Sequence, residues 1–410
     1  MLIKLAWRNL WRQKRRTLLT AFALALALFL SLFMRSMQEG SYEHNIDNSA
    51  RFSTGLIQLQ SPEYATTESI EDLLPGDDEF IAKAKGLAHI SYALPRIESF
   101  LLASSEERSK GVVVYGVRPQ LENDYSGIAD KLVAGSYLSP GAKQVLLGQG
   151  LAEYLKLGVG DELVLYGQGY HGQTAAGVYP IAGILHFPLA QLDNQLVYMP
   201  LGTAQELFST GNQVTAWVLH SDKLDEVERL THQLSARYDG GVKVRDWQSL
   251  APEMAQQIAL DRAGGLFMIC LLYLIVGFAL FATILMMTLE RRREFGVMLA
   301  TGMARLTLLR LVMIESLLIA ALGVALGLGL SSVVIGYFYF HPISLTGETA
   351  KMMLEMGWEP VMPMKVSLSL VRNQVIIILS LMAICLCYPL WRTQRLVVVA
   401  ALKGGDDDQG

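Results

Sequence analysis

The chain has 410 residues, of which 52% are hydrophobic and 18% charged. That is too apolar for an ordinary soluble protein, yet one long polar stretch remains, so the composition points to a membrane protein with a sizeable water-exposed domain. A formal net charge of −4 carries no bulk nucleic-acid footprint. The three cysteines, Cys270, Cys385 and Cys387, all fall in apolar runs, which leaves the polar stretch without a disulfide framework or a thiolate metal site.

Residues 1–16 predict a basic amphipathic helix. Lys4, Arg8, Arg12, Lys14, Arg15 and Arg16 occur with no acid among them, and Trp7 and Trp11 share one helical face. An interfacial helix and a plain membrane anchor both fit. The first span is expected over 17–34, because about 20 apolar residues cover roughly 30 Å of hydrocarbon. Its apolar region is longer than that of a signal peptide and no small-x-small cleavage site follows, so it reads as a retained anchor. Bases before this span and Glu39, Glu43 and Asp47 after it place the N-terminus in the cytoplasm by the positive-inside rule.

Residues 35–262 are then expected to form an external α+β domain, as one body or two small lobes. Strands are expected at "GLIQLQ", "RIESFLLA", "GVVVYGV", "DELVLYG", "VYPIAGIL", "NQLVYMP" and "TAWVLH", and helices at "LAEYLKL", "TAQELF" and "DKLDEVERLTHQL". From Gln248 to Arg262 the pattern is helical and runs into the second span, 263–289, as a rigid rod. A short internal segment, 290–307, precedes the third span, 308–340. Glu315 lies near the start of that span, where an interfacial acid without a role is the simple reading. Gly323 and Gly327, and Ala321, Ala325 and Gly329, make rows of small residues suited to helix packing. An external methionine-rich loop, 341–373, the fourth span, 374–391, and an internal tail, 392–410, complete the chain, so every basic cluster lies inside.

Chemistry-bearing motifs are few. No G-x-x-x-x-G-K-[ST] occurs, so ATP is left to a partner. Gly167, Gly169 and Gly172 make a formal G-x-G-x-x-G, but "QTAAGVYP" follows where a phosphate-binding helix should, and a hairpin loop is expected. Neither H-E-x-x-H nor G-x-S-x-G is present, the seven histidines are scattered, and no catalytic or metal-binding set stands out. What remains is "LERRREFGVMLATGM", residues 289–303. As a helix it puts Phe295, Met298, Leu299 and Gly302 on one face, with Arg291, Arg292 and Glu294 around the entry turn. It reads either as a helix resting in the lipid interface or as a docking knob for a soluble partner.

The stretch "ERRREFGVMLATGMARLTLLRLVMIESLLIAALGVALG" resembles the signature of the MacB and FtsX-like permease family. "YPLWRTQRLVVVAALKG", with Pro389, Arg392, Arg395, Ala401 and Leu402, and the N-terminal "LAWRNLWRQKRRTLLT" are similar to the same family. "GVVVYGVRPQLE", "VLLGQGLAEYLKLGVGDELVL" and "YPIAGIL" look like its lipoprotein-releasing LolC/LolE branch. The resemblance implies four transmembrane helices with a large α+β periplasmic domain between the first and second, in a bacterial inner membrane with both termini cytoplasmic. It implies a permease paired with a second copy or a paralogue and bound to cytoplasmic ABC ATPase subunits, which carry the ATP and Mg. It further implies mechanotransmission, with the short cytoplasmic helix as the point where force enters and lipoprotein-like or amphipathic cargo moved outside.

Carried over by position, Glu290, Arg291, Arg293, Glu294, Phe295, Gly296, Met298, Leu299, Thr301 and Gly302 form the expected ATPase interface, the charges as rim ion pairs and the glycines for close approach. Phe33, Met37, Met254, Ile258 and Phe267 are candidate cargo liners if cargo enters between the first two helices, with core packing equally open. Met352, Met353 and Met356, with Met362 and Met364, give a soft apolar surface for an acylated substrate or a lipid contact. A relay that switches a periplasmic partner without moving cargo is the alternative function. A periplasmic adaptor or carrier stays open.

Overall fold

A computed structural model describes residues 2–12, 14–187, 190–238, 240–355 and 358–395, and these fall into two compact units. The first, residues 1–41, 259–343 and 362–410, is helical. Its elements are α1 (Leu2–Arg12), α2 (Lys14–Ser49), α3 (Pro252–Glu290), α4 (Arg292–Ala300), α5 (Arg305–Phe340) and α6 (Leu368–Gln394), with α2 and α3 continuing into the second unit. Four of them, α2, α3, α5 and α6, are long and apolar enough to cross a membrane. They outrun the apolar stretches because hydropathy marks only the part suited to lipid, while helical geometry continues through polar turns.

The glycine rows differ in use. A Cβ on Gly323 would stand 2.7 Å from Leu24 Cβ, and one on Gly327 would stand 3.0 Å from the Ala25 carbonyl, so both let α5 close on α2. A Cβ on Gly329 would meet nothing within 4 Å among the described residues, and Gly329 lies exposed with Ala321 and Ala325, so that row does not pack against them. Ala21, Leu24, Leu28 and Leu32 of α2, Tyr273 and Leu280 of α3, and Ile378 and Met382 of α6 fill the core between the helices. Buried Tyr273 donates to the amide oxygen of buried Gln374, which ties α3 to α6. Cys385 is a packing residue, its thiol against the Gly277 carbonyl.

The second unit, residues 42–258 and 344–361, is the α+β domain. Its ten-stranded sheet comprises β1 (Ile57–Gln60), β2 (Ile90–Ser104), β3 (Ser109–Val117), β4 (Leu132–Gly135), β5 (Val145–Gly148), β6 (Glu162–Gln168), β7 (Thr174–Leu185), β8 (Leu196–Pro200), β9 (Ala216–Ser221) and β10 (Lys243–Asp246). The order is β10-β1-β9-β2-β3-β8-β5-β7-β4, with β6 pairing both β2 and β7. Two neighbouring pairs, β3 with β8 and β5 with β7, are parallel. Alternation decides the faces: in β6, Leu163 and Leu165 point into the core while Glu162, Val164 and Tyr166 point out. β9 is buried along its whole length. The formal glycine motif forms the β6–β7 hairpin loop, closed by the Gly169 amide on the Gln173 carbonyl at 2.7 Å.

Two features depart from the sequence reading. The expected rod from Gln248 is broken at Ala251: a short helix, Trp247–Leu250, ends there and α3 begins at Pro252. Proline suits a first helical position and keeps the residue before it out of helical geometry. At the other end, α2 finishes in a π-turn, Ala50–Thr54, whose Gly55 amide reaches the Ala50 carbonyl at 2.7 Å. Side chains from the domain hold this turn by its carbonyls: Tyr125 hydroxyl on Ala50 at 3.1 Å, Tyr198 hydroxyl on Phe52 at 3.0 Å, and Arg96 on Ser53. Arg96 is fully buried and pairs with Glu122 at 2.8 Å. The methionine segment contributes a helix, Glu348–Glu355, and its following residues pack Trp358 on Tyr42 and bring Glu359 to His44 at 2.9 Å.

Candidate functional site

The site is built at the turn between α3 and α5. Helix α3 ends at Glu290, and Arg291 takes a non-helical conformation that starts α4 on a new axis. α4 closes at Thr301, whose hydroxyl bonds the Val297 carbonyl at 3.0 Å. The Met303 amide then returns to the Met298 carbonyl at 3.0 Å across Gly302. Gly302 has φ +98°, in the region that L side chains avoid, and nothing lies within 4 Å of a Cβ placed there. Its glycine is therefore demanded by the turn, not by a close neighbour.

Arg291 is the hub. It is 7% exposed, and its guanidinium donates to Glu315, itself 4% exposed, and to Glu294 at 3.2 Å. Asn9 of α1 donates to the other Glu315 oxygen at 2.7 Å, and the Arg291 guanidinium lies 5.1 Å from the centre of the Phe295 ring. Phe295, 1% exposed, is buried with Leu308 and Val312 of α5, and Met298, Leu299 and Met303 pack against the same cluster with Leu390 of α6. Further out, Arg12 pairs with Glu294, and Arg16 pairs with Glu290, one bond measuring 2.9 Å. Arg305 donates to the Gln394 carbonyl at 2.7 Å, fastening the start of α5 to the end of α6. Burial pushes the Glu294 carboxyl up, but its bonds from Arg291 and Arg12 outweigh this and hold it below the usual carboxylate range.

The geometry corrects how the predicted residues are used. The apolar face of α4, Phe295 with Met298 and Leu299, is turned onto its own chain, because the adjoining helices offer it an apolar bed of Leu308, Val312 and Leu390. Arg291 and Gly296 are buried as well. The side open to a partner carries Arg293, Val297, Thr301 and Gly302, with Val297 48% exposed. Glu290 and Glu294 sit at its margin, already paired to arginines of α1 and α2.

Among the cargo candidates, Ile258 is buried in the α+β core and Met254 packs against it, so these two take the packing role. Phe33 packs edge-on to Phe338, with ring centres 6.2 Å apart, and Met37 is partly buried in the helical core. Phe267 is 61% exposed on α3. Met352 is exposed and Met353 half-buried, Met364 is buried in the helical core, and Met356 lies outside the described residues, as do Ala401 and Leu402 of the C-terminal match. The Arg291–Glu315–Asn9 set escaped sequence reasoning; the available signal was a single acid inside an apolar span, which demands a buried partner.

Residues 17–236 match the MacB-like periplasmic core domain and residues 266–396 match the FtsX-like permease C-terminal domain. The lipoprotein-releasing system transmembrane protein LolC of Xylella fastidiosa is 23% identical over 357 residues, covering 84% of this chain and 85% of that protein. The macrolide export ATP-binding/permease protein MacB of Rhodospirillum rubrum is 26% identical over 346 residues, 80% of this chain and 51% of that protein. The solved periplasmic region of MacB from Actinobacillus actinomycetemcomitans aligns with 52% of this chain and 98% of its own length, at 13% identity and a TM-score of 0.34. The two domain matches together span most of the chain, in the order helix, α+β domain, three helices, and the chain belongs to the MacB and FtsX-like family as an ABC transporter permease subunit.

Proposed function

We propose that this permease is driven by a cytoplasmic ATPase seated on the open side of α4, and that it moves lipoprotein-like cargo at the periplasmic face of the inner membrane. The carrying observation is the Arg291–Glu315–Asn9 set, which makes α4 one body with α1 and α5 while Arg293, Val297 and Thr301 stay open. A push on α4 is then delivered to α3, which is a continuous helix of 39 residues and so about 58 Å long at 1.5 Å per residue.

The partner assignment is supported by the MacB relative, whose name joins ATP-binding and permease functions in a chain of which this one matches 51%. No P-loop occurs in these 410 residues, so ATP and Mg belong to the partner. The cargo class is supported by the LolC relative's name. In the same reading α1, α4 and the end of α6 are cytoplasmic, the α+β domain is periplasmic, and a second copy or paralogue completes the membrane part. Phe267 and Met352 are the candidate cargo contacts that the fold leaves exposed among the described residues.

The test is purification of the tagged chain from its host in mild detergent, with the co-purifying proteins identified by mass spectrometry. A P-loop ATPase at equal stoichiometry is expected, lost in Arg293→Glu and Val297→Asp while the thermal stability of the permease is unchanged. Persistence of the ATPase in both variants refutes the docking face. An intact ATPase complex that never carries an acylated protein refutes the cargo and leaves a relay to a periplasmic partner.

A further inference from the structure

At the C-terminal end of α5 a cavity of about 330 Å³ opens among α2, α5 and the start of α6. That volume is at the small end of the roughly 300–1,000 Å³ seen for ligand pockets. Its walls are apolar: Leu32, Leu328, Ile335, Val366, Leu370 and Val371. Ser331 also lines it, is 3% exposed, and its hydroxyl has no hydrogen-bond partner among the described residues.

That open hydroxyl is unusual for this molecule. Thr283, Thr288 and Thr393 each turn back to the carbonyl four residues earlier, as hydroxyls in apolar helices do. The other serines of the cavity are engaged: Ser36 on the Lys365 carbonyl at 2.7 Å, Ser332 on the Gly329 carbonyl at 2.8 Å, and Ser367 with Ser369 at 2.7 Å. A buried hydroxyl without a partner is unfavourable, and an oxygen acceptor entering the cavity would relieve that cost.

Position narrows the ligand. Tyr337 and Tyr339, exposed on the last turns of α5, suit the headgroup level of a membrane. Ser331 precedes Tyr337 by six residues, about 9 Å along the helix, close to where a headgroup layer of roughly 5–7 Å gives way to hydrocarbon. Lys365 also lines the cavity and carries a positive charge. An acceptor oxygen at that depth, an apolar chain below it and an anion above it describe an ester-linked membrane lipid.

We propose that this cavity is a binding site for an anionic glycerophospholipid, with one acyl chain against Leu328, Ile335 and Leu370, an ester carbonyl accepting from Ser331, and the phosphate beside Lys365. The site is separate from the candidate cargo contact on α3 and does not depend on the cargo assignment.

The full chain is placed in nanodiscs containing phosphatidylglycerol with a photoactivatable group in one acyl chain, and the cross-linked peptides are mapped. Labelling is expected to concentrate on the segments around Ser331 and Leu370. It should fall about 2- to 10-fold in Ser331→Ala, the worth of one hydrogen bond, fall further in Lys365→Glu, and persist in Ser331→Thr. Excess unlabelled phosphatidylglycerol should displace the label from the wild-type chain, whereas diacylglycerol should not, and this comparison holds even if a variant fails to fold. Labelling spread evenly over the lipid-facing helices, indifference to Ser331→Ala, or displacement by diacylglycerol overturns the proposal. Labelling of the cavity by an acylated peptide but not by the phospholipid overturns it in favour of cargo.

Discussion

Glu315→Ala is the most informative single perturbation of the α4 site. It leaves the Arg291 guanidinium buried with Glu294 as its remaining ion-pair partner among the described residues, at 3.2 Å, and takes the Glu315 acceptor from the Asn9 amide. Removing one member of a buried ion pair costs about 3–5 kcal/mol, because the surviving charge keeps its desolvation penalty. At roughly 2–4 °C per kcal/mol for a unit of this size, the apparent Tm should fall on the order of 10 °C. Removing both charges in Arg291→Met/Glu315→Leu removes the penalty too, so stability should return close to that of the native chain. The assay is a double-mutant cycle read by thermal unfolding in detergent. Single variants within about 0.5 kcal/mol of the parent, or a double variant as unstable as the sum of the singles, would refute the pairing.

Packing and titration give three further tests. Gly323→Leu should cost about 1–3 kcal/mol by overpacking, since its Cβ would meet Leu24 at 2.7 Å, and Gly329→Ala should leave the same melting curve unmoved. Tyr273→Phe strips Gln374 of its donor inside the helical core and should lower stability by about 0.6–2 kcal/mol on that assay. In the α+β unit, burial holds the His220 imidazole below its ordinary value, against the raising effect of Asp47. The unfolded chain then takes up the proton first as pH falls through about 6.5, so stability drops on acidification. Urea unfolding followed at Trp217, buried in β9, should show that drop between pH 7 and 5, and His220→Asn should flatten it.

Much of the architecture was legible because its signals are local. Apolar runs marked the four long helices, and strand-length apolar segments between turn residues marked seven of the ten sheet strands. The strands that escaped, Leu132–Gly135, Val145–Gly148 and Lys243–Asp246, are as short as Ile57–Gln60 but lack the apolar–polar alternation of its IQLQ. The break at Ala251 was missed because the helical pattern from Gln248 reads through Pro252, whose position marks a helix start. The composition of α4 was legible, but the direction of its apolar face was not. Phe295 can face a partner or α5 with the same spacing, and Leu308 and Val312 decide between them only once the chain is folded.

In the proposed reading, that inward turn is what would make α4 useful as a handle. Peeling it from the helices would uncover Phe295, at about 1.5–3 kcal/mol for a fully buried phenyl, and would break the Arg291–Glu315 pair, at about 3–5 kcal/mol. Exposed ion pairs such as Arg12–Glu294 and Arg16–Glu290 add about 0–1 kcal/mol each. A partner holding only Arg293, Val297 and Thr301 therefore grips more weakly than α4 grips its own chain. Under load the weaker contact yields first, so in that reading displacement of the partner would move α3, α4 and α5 together until the partner detached. Had the apolar face pointed outward, the partner would hold α4 more tightly than the permease does, and the stroke would unpack the turn instead of moving α3.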